Sequence, residues 1–152
     1  MAVPYVFLDF QILNEQWNQY RLSDGVALKL KFVLRKVQLL KTANGKAGEI
    51  RIDQTTIVAT EVPTELLGPP GKEYSLEEIA QSIVDPDIPF DALSRTPFSY
   101  LLSDGKLVIV EIQLRTVGKS SLFGETGEPK YKINFETRVN IIGPPPLVPE
   151  DK

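Results

Sequence analysis

Tyr20 to Val37 reads YRLSDGVALKLKFVLRKV, and Tyr100 to Val117 reads YLLSDGKLVIVEIQLRTV. Slid by eighty residues without a gap, the two stretches are identical at eight of eighteen positions, which marks a duplicated structural unit. The match continues beyond a connecting turn. Ile50, Ile52, Gln54, Thr56, Val58 and Thr60 align with Tyr131, Ile133, Phe135, Thr137, Val139 and Ile141, and each copy ends in Gly-Pro-Pro, at Gly68-Pro69-Pro70 and Gly143-Pro144-Pro145.

Inside each copy the pattern is that of a hairpin. Asp24-Gly25 and Asp104-Gly105 read as tight turns, because an Asp-Gly pair accepts the positive φ angles of a type I′ connection. After the first turn Leu28, Leu30, Phe32 and Leu34 alternate with Lys29, Lys31 and Arg35; after the second, Val108, Val110, Ile112 and Leu114 fill the matching face. Asn44-Gly45 turns the chain toward a strand Ile50 to Val62. A longer loop, Lys119 to Pro129, leads to the last strand, where Tyr131, Ile133, Phe135, Val139 and Ile141 face inward and Lys132, Asn134, Glu136, Arg138 and Asn140 face water. Val6, Leu8, Phe10 and Ile12 suggest one further strand ahead of the repeats.

A short helix is expected between the copies. Ser75 and Glu78 form a capping-box pattern, Leu76, Ile79, Ala80 and Ile83 make an apolar face, and Asp85-Pro86 ends it. Pro86 to Pro97 reads as irregular chain. One hairpin cannot bury its own apolar face. The expected fold is therefore mainly β: two tandem β-hairpin repeats packed as a pseudo-twofold antiparallel sandwich or partly open barrel, with one short helix between the repeats. The single domain spans 1–146, with repeat one at about 20–70, helix and linker at 74–98 and repeat two at about 100–145. Residues 147–152 form a flexible proline-rich tail whose approach, Pro146-Leu147-Val148-Pro149, resembles a PxxP element.

Composition narrows the function classes. The 152 residues suit one domain, with 42% hydrophobic and 24% charged residues. The absence of cysteine removes disulfides and thiolate metal sites, and the absence of histidine removes the commonest general base and metal ligand. No metal site and no cofactor is expected. A net charge of −3 gives no general attraction to nucleic acid. Met1 to Leu13 lacks a secretory pattern, and no run approaches the ~20 apolar residues of a membrane helix, so the expectation is a cytoplasmic protein with no membrane partner.

The candidate site residues each carry two readings. Asp24 and Asp104 are either a carboxylate pair near the pseudo-axis or turn residues beside their own glycines. Arg35 and Arg115 either bind an anion or pair with carboxylates across a sheet. Lys29, Lys31, Arg35 and Arg51 form either a nucleic-acid stripe, without the interleaved aromatics such a platform uses, or lysine-type protection of a sheet edge. Glu125 and Glu128 lack EF-hand spacing. Trp17, Tyr20 and Tyr100, with Arg35 and Arg115, line a ligand crevice between the repeats, or the aromatics close the end of a barrel. Leu122, Phe123, Gly124 and Glu125 lie in a loop whose first-repeat counterpart lacks bulky apolar residues; they protrude toward a partner or fold onto their own core.

No nucleophile elbow, phosphate loop or S-x-x-K motif is present. The reading is a non-catalytic structural or interaction β-protein, a self-associating assembly component whose partner is itself, as a homo-oligomer. The alternative is a binding module for a small ligand, sugar or oligonucleotide at the inter-repeat crevice. A carboxylate hydrolase is a third class with no positive sign.

Overall fold

The computed structural model describes residues 5–41 and 47–143. The Asn44-Gly45 turn and the Pro144–Lys152 stretch, with its PxxP element, lie outside them. The fold is mainly β, with two sheets of five antiparallel strands each and no closed barrel. Sheet one holds β1 (Tyr5–Leu8), β3 (Asn18–Leu22), β4 (Ala27–Lys41), β5 (Ala47–Glu61) and β7 (Phe90–Ser94). Sheet two holds β2 (Phe10–Asn14), β6 (Ile83–Asp85), β8 (Phe98–Leu102), β9 (Leu107–Phe123) and β10 (Pro129–Ile142). A 3-10 turn (Thr64–Leu66) and helix α1 (Leu76–Gln81) lie between the two copies.

The alternation read from the sequence sets the core. Leu28, Leu30, Phe32 and Leu34 from β4 join Val108, Val110, Ile112 and Leu114 from β9 in one buried cluster with Tyr20, Phe98 and Tyr100. In both long strands the parity then changes by one residue. Leu34 faces Gln54 and Lys36 faces Asp53, which leaves Arg35 unpaired; Leu114 faces Phe135 and Thr116 faces Asn134, which leaves Arg115 unpaired. The two equivalent arginines are thus the extra residues of two equivalent β-bulges. The one-residue slip turns Val37 and Val117 inward.

The duplication reaches further upstream than Tyr20. The first apolar run is two strands rather than one: the chain breaks at Asp9, so that β1 lies in sheet one and β2 in sheet two. Pro86 to Pro97 is not irregular throughout, because residues 90–94 form β7. Phe10 of β2 pairs with Leu102, and Phe90 of β7 pairs with Leu22. The Ser103 amide donates to the Asp9 carbonyl and the Ser23 amide to the Pro89 carbonyl, both at 2.8 Å. Phe10 meets Tyr100 edge-on at 5.8 Å, and Phe90 meets Tyr20 edge-on at 6.0 Å. All these pairs repeat at the eighty-residue offset. Each copy therefore lends its leading arm to the sheet of the other.

Three local expectations change. The Asp-Gly turns are not type I′, since no non-glycine residue among the described residues has positive φ. In these turns only the glycines, Gly25 (φ 98°) and Gly105 (φ 92°), take that region, after a turn closed by Gly25 N–H to Leu22 O and Gly105 N–H to Leu102 O. This is a type I turn with a glycine bulge, a common three-residue hairpin connection. Helix α1 keeps its capping box, with Glu78 N–H to Ser75 Oγ at 3.1 Å and Ser75 N–H to Glu78 Oε1 at 2.9 Å. It ends at Gln81, four residues before Asp85-Pro86, because Ile83 to Asp85 are taken into β6 beside β9. Ile79 alone in the helix is buried, while Leu76 and Ala80 are exposed. Last, the inward face of β10 runs out: Tyr131 is buried and Ile133 and Phe135 are half-buried, but Val139 and Ile141 are exposed.

Candidate functional site

Asp24 and Asp104 both act in their turns: the Oδ1 of each accepts from the amide two residues on, Val26 or Lys106, at 3.1 Å. Their second oxygens part company. Asp104 turns to its neighbour Lys106. Asp24 reaches into the other repeat, where Oδ2 takes Tyr131 Oη at 2.6 Å and Lys119 Nζ at 3.0 Å. Burial works against the Asp24 carboxylate, yet the Tyr131 hydroxyl, the Val26 amide and the Lys119 ammonium together hold its pKa below the usual carboxylate range. Burial pushes the Tyr131 hydroxyl up, and the Asp24 charge pushes it further. The two aspartates share no partner, and no group of three acidic side chains among the described residues could hold a metal ion.

The five expected crevice residues are not brought together. Tyr20 and Tyr100 belong to the core. Arg35 pairs with Asp53 and Arg115 with Glu136, each across its own ladder and each exposed. Trp17 is half-buried under the Lys31 ammonium, 5.6 Å from its ring centre. Members of the basic stripe are engaged within the chain: Lys29 pairs with Glu61 at 3.4 Å, and Arg51 lies over the Tyr5 ring at 4.8 Å.

The Leu122–Glu125 stretch is not a long loop. Strand β9 runs on to Phe123, and a five-residue turn closes with Gly124 N–H to Glu128 O at 2.8 Å. Leu122 and Phe123 are half-buried, Gly124 is buried and Glu125 is exposed. The segment after β5 lies across this turn, with Gly68 N–H to Gly127 O and Gly71 N–H to Gly124 O, both 2.8 Å. Phe123 sits so close to Gly68 that a Cβ there would overlap its ring. The turn thus docks onto the linker of its own chain.

Two surface features were not singled out in the sequence. The first is a pair of long edges. Among the described residues β5 pairs only with β4, and β10 only with β9, so strands of 15 and 14 residues each leave one side unpaired. Cross-strand partners share a face. Val58 pairs with the fully buried Leu30, and Val139 and Ile141 pair with the fully buried Val110 and Val108. The inner face therefore overhangs its cover, leaving Val58 44% and Val139 40% exposed; on the opposite face Ile57 and Ile142 are exposed as well. The second feature is a cleft of about 700 Å³ between Asn18, the corner 95–97, and residues 111–113 and 136–139 of the β9–β10 ladder. Asn18 is buried, and its Oδ1 accepts from the Thr96 amide at 3.1 Å. The available signal for the cleft was the same eighty-residue offset, carried back into the leading arms.

No family model, no curated protein and no solved structure matches this chain. No helix of the described residues is long and apolar enough to cross a membrane.

Proposed function

We propose that this protein is a non-catalytic structural or interaction β-protein that associates with copies of itself through its two long edge strands. The observation carrying this reading is the overhang. An unpaired edge is a row of free N–H and C=O groups, ready to extend a neighbour's sheet. Here that row borders apolar side chains, Val58 on β5 and Val139 and Ile141 on β10, which a neighbouring strand would cover. Charge supports pairing unlike edges. Strand β5 carries Glu49, Asp53 and Glu61 against Arg51, while β10 carries Lys130, Lys132 and Arg138 against Glu136. A β5 edge meeting a β10 edge joins net opposite charges, and such head-to-tail contact closes into a ring or continues as a filament.

Light scattering across a range of concentrations tests the reading. The expected result is a stable multiple of 17.0 kDa. Placing lysines on the β10 edge, Val139→Lys with Ile141→Lys, should return the mass to one chain with the β circular-dichroism signal intact. A single-chain mass for the wild type at every concentration would overturn it. Leu122→Ser with Phe123→Ser serves as a contrast: it should lower stability, since these side chains pack within the chain, without acting first on mass.

A further inference from the structure

The duplication supplies an internal control for the cleft. Carried back by eighty residues, its lining positions Ile112, Pro97 and Arg95 correspond to Phe32, Trp17 and Glu15, and Asn18 corresponds forward to Phe98. At the first of these equivalent places the space is filled. Phe32 and Phe98 are fully buried with ring centres 6.0 Å apart, Trp17 is half-buried under the Lys31 ammonium, and Glu15 accepts from the Tyr100 hydroxyl at 2.8 Å. At the second, two phenylalanines are replaced by an isoleucine and an asparagine, and a tryptophan by a proline. Side-chain volume is withdrawn from one end of the pseudo-axis only, and one of the three replacements, the buried Asn18, is polar.

The tyrosines tell the same story. The Tyr100 hydroxyl is bonded to Glu15 and to the Phe32 carbonyl at 3.3 Å, whereas its counterpart, the Tyr20 hydroxyl, is buried with no hydrogen-bond partner among the described residues. Its side chain is 1% exposed; burial raises its pKa, and the Arg95 charge and the Asn18 side chain, both lining the cleft, offset part of that rise although Asn18 does not reach hydrogen-bond geometry. A buried polar group without a partner is uncommon in a folded protein and calls for a cause. Neither Arg95 nor Arg138, the two cations of the lining, has a carboxylate within salt-bridge distance among the described residues.

From these observations we infer that the cleft lined by Asn18, Arg95, Thr96, Gln113 and Arg138 is a binding site for a small polyhydroxy monocarboxylate. Its volume lies within the usual range for small-molecule sites. The planar guanidinium of Arg95 matches a carboxylate through two parallel hydrogen bonds. Thr96, Gln113 and Thr137 offer donors and acceptors for hydroxyl groups. The lining holds no aromatic ring, so a nucleobase has no face to stack on. Glu111 and Glu136 also line the cleft, so a dianion meets repulsion that a monoanion largely escapes. This site is independent of the edge-strand association.

Amide chemical-shift titration of the full chain tests the inference, with glucuronate, gluconate, glucose and inorganic phosphate as probes. Glucuronate or gluconate should give saturable shifts centred on Asn18, Thr96 and Gln113, with glucose and phosphate at least about tenfold weaker, the scale of one charge-assisted contact. Arg95→Gln should weaken the carboxylate by about tenfold or more while leaving the spectrum elsewhere unchanged. Should that variant unfold, the wild-type ranking of the four probes and the location of the shifts still decide. No saturable shift with either carboxylate, shifts located away from the cleft, equal affinity for glucose, or undiminished binding by a folded Arg95→Gln variant would each overturn it.

Discussion

The two ends of the pseudo-twofold axis began as one arrangement and now differ in packing. At one end the buried Phe32 and Phe98 rings fill the space and Glu15 holds the Tyr100 hydroxyl; at the other Ile112, Asn18 and Pro97 leave a cleft and the Tyr20 hydroxyl has no hydrogen-bond partner among the described residues. Both ends share the same strands, the same bulges and the same arm exchange, so the scaffold cannot account for the difference. The lesson is that in a duplicated fold the backbone repeats are where stability is organised, and the broken positions are where specialisation is to be sought.

The comparison is broken most severely at Phe98. Phe98→Ala should cost about 3–5 kcal/mol in urea denaturation, the range for deleting a fully buried aromatic. At the equivalent position Asn18→Ala removes one acceptor of the Thr96 amide and should cost about 1–3 kcal/mol. Equal costs would mean that the two ends are packed alike.

The Asp-Gly turns give the next contrast. Asp24→Asn should lower stability by about 1.5–3 kcal/mol, because it weakens charge-assisted bonds that tie one repeat to the other. Asp104→Asn, which touches only its own turn and Lys106, should cost distinctly less. The Asp24 effect depends on pH. Its folded pKa lies below the unfolded value, so its contribution is complete above about pH 4 and fades as the pH falls through the folded value. The same denaturation series run from pH 6 down to pH 2 should converge for wild type and Asp24→Asn.

On the alkaline side the sign reverses. Burial, and then the neighbouring Glu15 and Asp24, raise the hydroxyls of Tyr100 and Tyr131 above the ordinary value of 10.0, and burial also raises Tyr20. These groups support the fold fully below about pH 10, and that support is lost as the pH climbs from there, since the unfolded chain ionises first. The tyrosinate absorbance of Tyr20, Tyr100 and Tyr131 should therefore appear together with unfolding rather than before it. Ionisation of these three tyrosines in the folded state would contradict the assigned burial.

The smallest contrast is the sharpest. Tyr100→Phe strands the Glu15 carboxylate and should cost about 1 kcal/mol, whereas Tyr20→Phe removes a hydroxyl with no hydrogen-bond partner among the described residues and should leave stability unchanged or slightly raised. Thermal midpoints of the two variants measure it directly.

Much of the scaffold was legible because sheet alternation is written directly in side-chain type. The inward rows of β4 and β9, the Gly25 and Gly105 turns and the Ser75 capping box all follow from local chemistry. The arm exchange was not legible, because its pairing joins residues far apart and the Phe10/Phe90 and Leu13/Leu93 matches stand among dissimilar neighbours. Arg35 and Arg115 were matched correctly as equivalents, but nothing local announces a bulge. The candidate site failed differently. Aromatic residues drew attention as crevice-formers, while the open place exists where aromatics are missing, at Asn18 and Pro97. Absence of volume is visible only by comparing the copies.

The exchanged arms also bear on how the chain reaches its fold. The Tyr100 hydroxyl finds a carboxylate 85 residues away, and the Asp24 carboxylate finds a hydroxyl 107 residues away. Neither sheet is complete until both copies exist, so a large loop must close before its contacts repay the lost entropy. Such long-range order places the protein among slow folders, and the first copy must wait, with the sheet position beside β3 unfilled, until residues 90–94 arrive.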